Sequence, residues 1–239
     1  MNFCLYELTQ VWGEPCFNNL DLNDLLGPVC TDSRLATKGC LFVPIIGENF
    51  DGHNFLLQAY TSGAYAAFVS LEFTGYIPKG LTYWKVDDTL KAYQELALIH
   101  RRKIKSPVIG ITGSVGKTTT REIIRATLSQ FGSVIASEQN NNNDVGVPLT
   151  LLQANSSHSA VVIEMGMRGL GEIERLSYCA HPDIALITNI GNAHIGRLGS
   201  RRNIAKAKAE ITKYLNPSGT LLIPFNEPLL DEIIKENWT

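Results

Sequence analysis

Apolar and polar positions change their rhythm near residue 105. Downstream, short apolar runs at 107–112, 134–136, 160–165, 184–190 and 220–224 alternate with helix-like segments near 117–131, 146–153, 171–180, 200–214 and 228–236. Runs without polar alternation fit strands buried on both faces, and the intervening helices fit their crossovers. The pattern predicts a parallel sheet with helical connections. Upstream the rhythm is looser. Apolar runs at 40–46 and 65–69 are broken by Gly- and Asn-rich turns, and residues 88–103 carry Leu90, Tyr93, Leu96, Ala97 and His100 at helical spacing. The expected class is α/β, with a small mixed α/β N-terminal domain over 1–105 and a parallel-sheet domain over 106–239. The basic stretch from Arg101 to Lys105 reads as a solvated helix end at that boundary.

Composition narrows the function classes. The 239 residues suffice for one large or two modest domains, at about 150 residues each. A hydrophobic content of 44% excludes a disordered chain. With 21 Lys and Arg against 23 Asp and Glu the net charge is -2, which argues against a nucleic-acid partner. No apolar run nears the roughly 18 residues that cross a bilayer, so no membrane insertion is expected. The first residues lack a basic segment followed by an apolar one, unlike a secretory signal. The five cysteines are odd in number and without C-x-x-C spacing, which fits neither a zinc site nor a disulfide framework. A reducing cytoplasm is the expected location.

Candidate chemistry lies in the loops that follow the predicted strands, where ligands of such sheets bind. The first strand, from Val108 to Thr112, runs into Gly113, Ser114, Val115, Gly116, Lys117, Thr118, Thr119 and Thr120. Glycines let backbone N–H groups turn inward around phosphate oxygens, and the next helix adds its positive end. Lys117 is placed to reach the β- and γ-phosphates, and the Thr118 hydroxyl to ligate Mg²⁺. The strict pattern G-x-x-x-x-G-K-[ST] puts Ile111 where its first glycine belongs, so the match is to the core T-G-S-x-G-K-T-T. A Gly-rich turn that binds nothing is the competing reading, and the strand-to-helix context disfavours it.

Five other positions allow two readings each. Glu164 ends the run Ala160, Val161, Val162, Ile163, where a carboxylate either faces the phosphates or is an ordinary strand end. His194 is a loop histidine, a surface residue by default. Lys208, near Lys206 and Glu210, belongs on composition alone to a charged helix face. Asn142 and Asn143 either bind phosphate through their carboxamides or form a turn.

Taken together, these segments resemble the Mur ligases, ATP-dependent enzymes that add amino acids to a UDP-sugar peptide in cell-wall synthesis. The resemblance is carried by T-G-S-V-G-K-T-T at 112–119, T-D-S-R at 31–34, L-F-V at 41–43 and G-E-N-F-D-G-H at 47–53. It continues through N-N-D-V-G-V-P-L-T at 142–150, E-M-G at 164–166, G-E-I at 171–173, I-T-N-I-G-N-A-H at 187–194 and A-K-A-K-A-E-I at 205–211. Within the family it is greatest to the branch that joins D-alanyl-D-alanine to UDP-N-acetylmuramoyl-tripeptide through an acyl phosphate. The resemblance implies catalytic roles for Lys117, Asn142, Asn143, Glu164, His194 and Lys208. It implies two Mg²⁺ ions held by Thr118, Glu164, His194 and Lys208, with Lys208 carbamylated. Ser33 and Arg34 are implied in UDP-sugar-peptide binding, through hydrogen bonds and a diphosphate fork.

The family's central ATPase domain runs well past residue 239 and is followed by a domain for the incoming amine. The chain is therefore expected to be a fragment, monomeric, with its activity in question. A non-catalytic nucleotide-binding module, another Mur-type ligase and a folylpolyglutamate synthetase are the alternatives.

Overall fold

A computed structural model describes residues 3–16, 21 and 23–237. The chain divides into two compact units, Met1–Tyr93 and Gln94–Thr239. The first contains α1 (Leu5–Trp12), β1 (Val29–Cys30), β2 (Leu41–Phe42), α2 (Leu56–Thr61), β3 (Ala66–Ser70) and β4 (Thr82–Val86). Its strands pair in parallel in the order β1-β2-β3-β4. All five residues of β3 are buried, whereas β4 alternates, as expected of an inner strand beside an edge strand. Phe42, Leu56, Ala59 and Val69 share one core cluster, and the Phe68 ring packs against Trp12 and Trp84. The division between units falls inside α3 (Thr89–Arg101), upstream of the composition change at residue 105.

The second unit repeats strand and helix as β5 (Val108–Thr112), α4 (Lys117–Leu128), β6 (Ser133–Ala136), α5 (Gly146–Gln153) and β7 (His158–Glu164). It continues with α6 (Glu172–Ala180), β8 (Ile184–Ile187), α7 (Ile195–Leu198), α8 (Arg201–Ala209), β9 (Thr220–Leu222) and α9 (Pro228–Asn237). Every pair is parallel and the order is β6-β7-β5-β8-β9. The chain leaves β5 for one side of the sheet, returns to β7, and crosses to β8 on the other side. That switch puts the loops after β5, β7 and β8 side by side at one carboxyl edge. The expected class, α/β with parallel sheets, is what the chain adopts.

Three local expectations need correction. The run at 184–190 is strand only to Ile187, because the next residues turn toward the loop after β5: Thr188 Oγ1 donates to the Val115 carbonyl at 2.6 Å. The helix at 200–214 stops at Ala209 and tightens into a 3₁₀ turn, Glu210–Thr212. There the Glu210 carboxylate accepts from the Gly171 and Glu174 amides and caps α6. Arg101 is not solvated. Its buried guanidinium donates to the carbonyls of Ala180 and His181 at the end of α6 and pairs with Asp183 at 2.8 Å.

Candidate active site

The loop between β5 and α4 owes its shape to two glycines. Gly116 takes a left-handed conformation (φ +81°) as the N-cap of α4, and Gly113 has φ +153°, where a Cβ would collide with the Thr188 hydroxyl. Asn189 braces the loop from the far side. Its carbonyl accepts from the Ser114 amide at 3.1 Å, its Oδ1 accepts from the Val115 amide at 3.1 Å, and its Nδ2 donates to the Val115 carbonyl. The amides of Ser114 and Val115 are thus satisfied within the protein and are not turned toward a phosphate. The amides of Gly116, Lys117, Thr118 and Thr119 meet no acceptor among the described residues, so the first turn of α4 is open to an anion. The Lys117 ammonium folds back to the Gly113 carbonyl at 3.0 Å.

Glu164, 3% exposed, ends β7 beside this turn. Its Oε2 accepts from Thr118 Oγ1 at 2.9 Å and its Oε1 from Asn142 Nδ2 at 2.9 Å. Four of the implied residues thus meet around one phosphate loop: Lys117, Thr118, Asn142 and Glu164. The two asparagines part company. Asn143 turns its Oδ1 to the Val145 and Gly146 amides at 3.1 and 2.9 Å and caps α5, while Asn142 lies on the carboxylate.

A cleft of about 610 Å³ opens here, lined among others by Lys117, Asn142, Asn143, Arg168, Glu172 and His194. His194 sits at φ +66° as the N-cap of α7. Burial first, then the charges of Lys208, Lys117 and Arg197, lower its pKa, so its ring is held neutral. Lys208, only 2% exposed on α8, has no hydrogen bond or ion pair among the described residues. Burial, and secondarily Lys117, pull its pKa down to about 8. It is no solvated helix-face lysine.

Thr118 and Glu164 supply adjacent hard oxygen atoms, and no group of three His, Cys, Asp or Glu side chains forms a metal cage among the described residues. Such a donor set fits Mg²⁺ that arrives with nucleotide phosphates, since this ion commonly takes one or two carboxylates plus phosphate oxygens. Lys208 as an ammonium does not fit a metal, and would only after conversion to an anion.

In the first unit Ser33 and Arg34 lie in a 3₁₀ turn, and both are already engaged. Ser33 is buried and donates to Gln58 Oε1 at 2.8 Å. Exposed Arg34 forks onto Asp32, whose carboxyl the guanidinium pulls down to about 2. A separate cavity of about 290 Å³ is lined by Asp51, His53, Ser70 and Phe73, among others. His53 is buried there. Its Nε2 accepts from the Ser70 amide at 3.0 Å, which leaves Nδ1 protonated to donate to Asp51 at 2.6 Å.

Sequence reasoning missed Asn189 and Arg121. Asn189 acts two residues beyond β8, with no local mark of its partner. Arg121 donates from α4 to the Gln139 carbonyl at 3.1 Å and lies 3.4 Å from Glu164 Oε2; its spacing of three from Thr118 was the available signal.

A phosphate loop on a parallel sheet, with a strand-end carboxylate against its threonine, defines a nucleotide-binding α/β domain. Residues 111–238 match the Mur ligase middle domain, and the chain belongs to the Mur ligase family. The UDP-N-acetylmuramoyl-tripeptide–D-alanyl-D-alanine ligase of Synechocystis is 44% identical over 235 residues, covering 98% of this chain and 50% of that protein. MurF of Acinetobacter baumannii shares the fold with a TM-score of 0.87 at 32% identity, over 98% of this chain and 51% of its own. MurF ligase of Thermotoga maritima, solved in complex with ADP, gives 0.78 at 31% identity over 87% and 48%. The chain spans about half the length of the relatives it matches. No helix among the described residues is long and apolar enough to cross a membrane.

Proposed function

We propose that the chain carries the Mg²⁺·ATP site of a ligase that joins D-alanyl-D-alanine to UDP-N-acetylmuramoyl-tripeptide in the cytoplasm. The carrying observation is the meeting of Lys117, Thr118, Asn142 and Glu164 at the open first turn of α4. The free amides of that turn and Lys117 bind the β- and γ-phosphates, while Thr118 and Glu164 hold Mg²⁺. A Mg²⁺ ion held by Thr118 and Glu164 would supply positive charge that offsets the repulsion between two anionic reactants. His194, neutral and on the cleft wall, faces the second metal position, directly or through water. Asn142 touches the transferred phosphoryl group without adding charge, and Asn143 holds the backbone beneath it.

Lys208 completes the electrostatics in carbamylated form. Carbamylation joins the neutral amine to CO₂ with loss of a proton and yields an anion. With its pKa near 8, roughly a tenth of this amine is neutral at pH 7, against well under a thousandth for an ordinary lysine. The anion removes a buried cation beside Lys117 and supplies oxygen to the metal.

The N-terminal domain, 1–105, takes the UDP-sugar peptide near Ser33 and Arg34, and 106–239 takes the nucleotide. Arg34 must leave Asp32 to fork onto a diphosphate, an exchange between exposed partners with a small cost. The protein acts as a monomer without nucleic acid. The test is phosphate release from ATP and Mg²⁺ with the UDP-tripeptide, with and without D-alanyl-D-alanine, using this chain and a form extended to its relatives' length. Release dependent on both substrates in the extended form is expected. Release indifferent to them refutes the ligase reading and leaves a nucleotide-binding module.

A further inference from the structure

Glu164 carries a third partner. Arg121 lies three residues beyond Thr118, on the same side of α4, and its side chain is 6% exposed. Its Nη1 lies 3.4 Å from Glu164 Oε2, the oxygen that also accepts from Thr118. The rest of the guanidinium is tied elsewhere. Nε and Nη2 donate to Glu122 Oε1 at 3.0 and 2.7 Å, and Nη1 also donates to the Gln139 carbonyl at 3.1 Å.

These contacts differ in what ligand binding does to them. Thr118 can give a metal a hydroxyl lone pair while its hydrogen stays on Glu164, but that contact lies at the ligand itself. Asn142 lines the cleft and re-pairs with phosphate. Arg121 is absent from the cleft wall and fixed by three hydrogen bonds to two acceptors, Glu122 Oε1 and the Gln139 carbonyl, so its hold on the carboxylate does not depend on the ligand. Its charge does not work against a metal as a bare cation would, because Glu122 forms an ion pair with it at 2.7 Å. A compensated guanidinium orients a buried carboxylate by a charge-assisted contact while adding little field at the metal.

We propose that Arg121 is a positioning residue that fixes Glu164 for the divalent cation of the bound nucleotide. This rests on the reading of the site as one for Mg²⁺·nucleotide. A merely structural role, pinning α4 to the segment after β6 through Gln139, makes a different prediction. It changes folding stability and leaves the metal's effect on nucleotide affinity untouched.

The experiment is calorimetric titration of the chain with ADP, once in excess Mg²⁺ and once in EDTA, for the native protein, Arg121→Gln and Arg121→Lys. The gain in affinity that Mg²⁺ confers is expected to fall about tenfold in Arg121→Gln, the scale of lost outer-shell partners. Affinity in EDTA is expected to stay unchanged, and Arg121→Lys, which keeps the charge and loses the fork, to fall between. Circular dichroism establishes folding, and Arg121→Lys carries the test if Arg121→Gln does not fold. An undiminished Mg²⁺ effect in the folded variants, or an equal loss in both media, overturns the proposal. Failure of the native protein to bind ADP, or to gain from Mg²⁺, refutes instead the site reading and takes this inference with it.

Discussion

Replacing Lys208 with methionine tests the unpaired buried charge directly. The side chain is 2% exposed, has no partner among the described residues, and has a pKa drawn down to about 8 by burial and by Lys117. A fall from about 10.4 to about 8 means that the protonated form costs the native state about 3 kcal/mol, at about 1.4 kcal/mol per pH unit. The sign follows from proton counts. Below pH 8 both states hold the proton and the full cost is present. Between about 8 and 10.4 the unfolded chain still holds a proton that the native state has released, so stability rises with pH. Methionine fills a similar unbranched volume without charge. Lys208→Met is therefore expected to be more stable at pH 7 by up to about 3 kcal/mol, with the advantage shrinking below about 1 kcal/mol by pH 10. Urea denaturation followed by circular dichroism, in CO₂-free buffer at both pH values, measures the difference. Titrating groups that do not feel Lys208 cancel between the two proteins. Equal stability at pH 7, or a gap that does not narrow by pH 10, refutes the assignment of an unpaired buried ammonium. Ligase turnover of the extended form is expected to be lost in the same variant, which separates the lysine's function from its cost to stability.

Lys117→Ala is expected to abolish ADP binding in a calorimetric titration with the fold intact, and unchanged affinity would remove the loop from the site. Gly113→Ala is expected to do the same for a different reason, because the new Cβ strikes the Thr188 hydroxyl; full retention of binding would show that the loop's form is not required. Asn143→Ala is expected to lose the cap of α5 and about 1 kcal/mol of stability in urea denaturation, whereas Asn142→Ala weakens nucleotide binding with a smaller stability change. The reverse pattern would exchange their roles. His53→Leu leaves the buried Ser70 amide without an acceptor and is expected to cost about 1–3 kcal/mol in the same assay, and no loss would contradict its structural role.

How much of this was legible depended on whether the cause was local. The strands of the second unit could be read because burial on both faces writes itself as an uninterrupted apolar run, as in Val161, Val162 and Ile163. The two-residue strands β1 and β2 are too short to carry a period. The early end of β8 and the break after Ala209 were hidden for another reason. Thr188 and Glu210 take partners 73 and 39 residues away, and nothing near them in the chain announces those partners. Arg101 reads as solvent-bound for the same reason, its acceptors lying some 80 residues on. In the site, Lys117 and Thr118 are given by one contiguous motif, but the choice between Asn142 and Asn143 needed the direction of each carboxamide.

The sequence also could not show that the site's charges are unequally satisfied. Glu164, the buried carboxylate, has partners on both oxygens, and Arg121 is matched by Glu122. The remaining cations are not matched. Lys117 has only a carbonyl, Lys208 has nothing, and the two depress the pKa of His194 together with its burial. Four unpaired amides at the start of α4 add to the same side of the balance. Buried positive charge of this kind is unfavourable in the free protein, and a polyanion that enters the cleft relieves it. On the proposed reading a polyphosphate does so at the amides and Lys117, and a divalent ion would be held by Thr118 and Glu164 together. Lys208, 2% exposed, is relieved by losing its proton or, on the same reading, by the negative charge of a carbamate on the lysine itself. On the proposed reading, the surplus cation at that one position is what sets this site apart from one that merely holds a nucleotide.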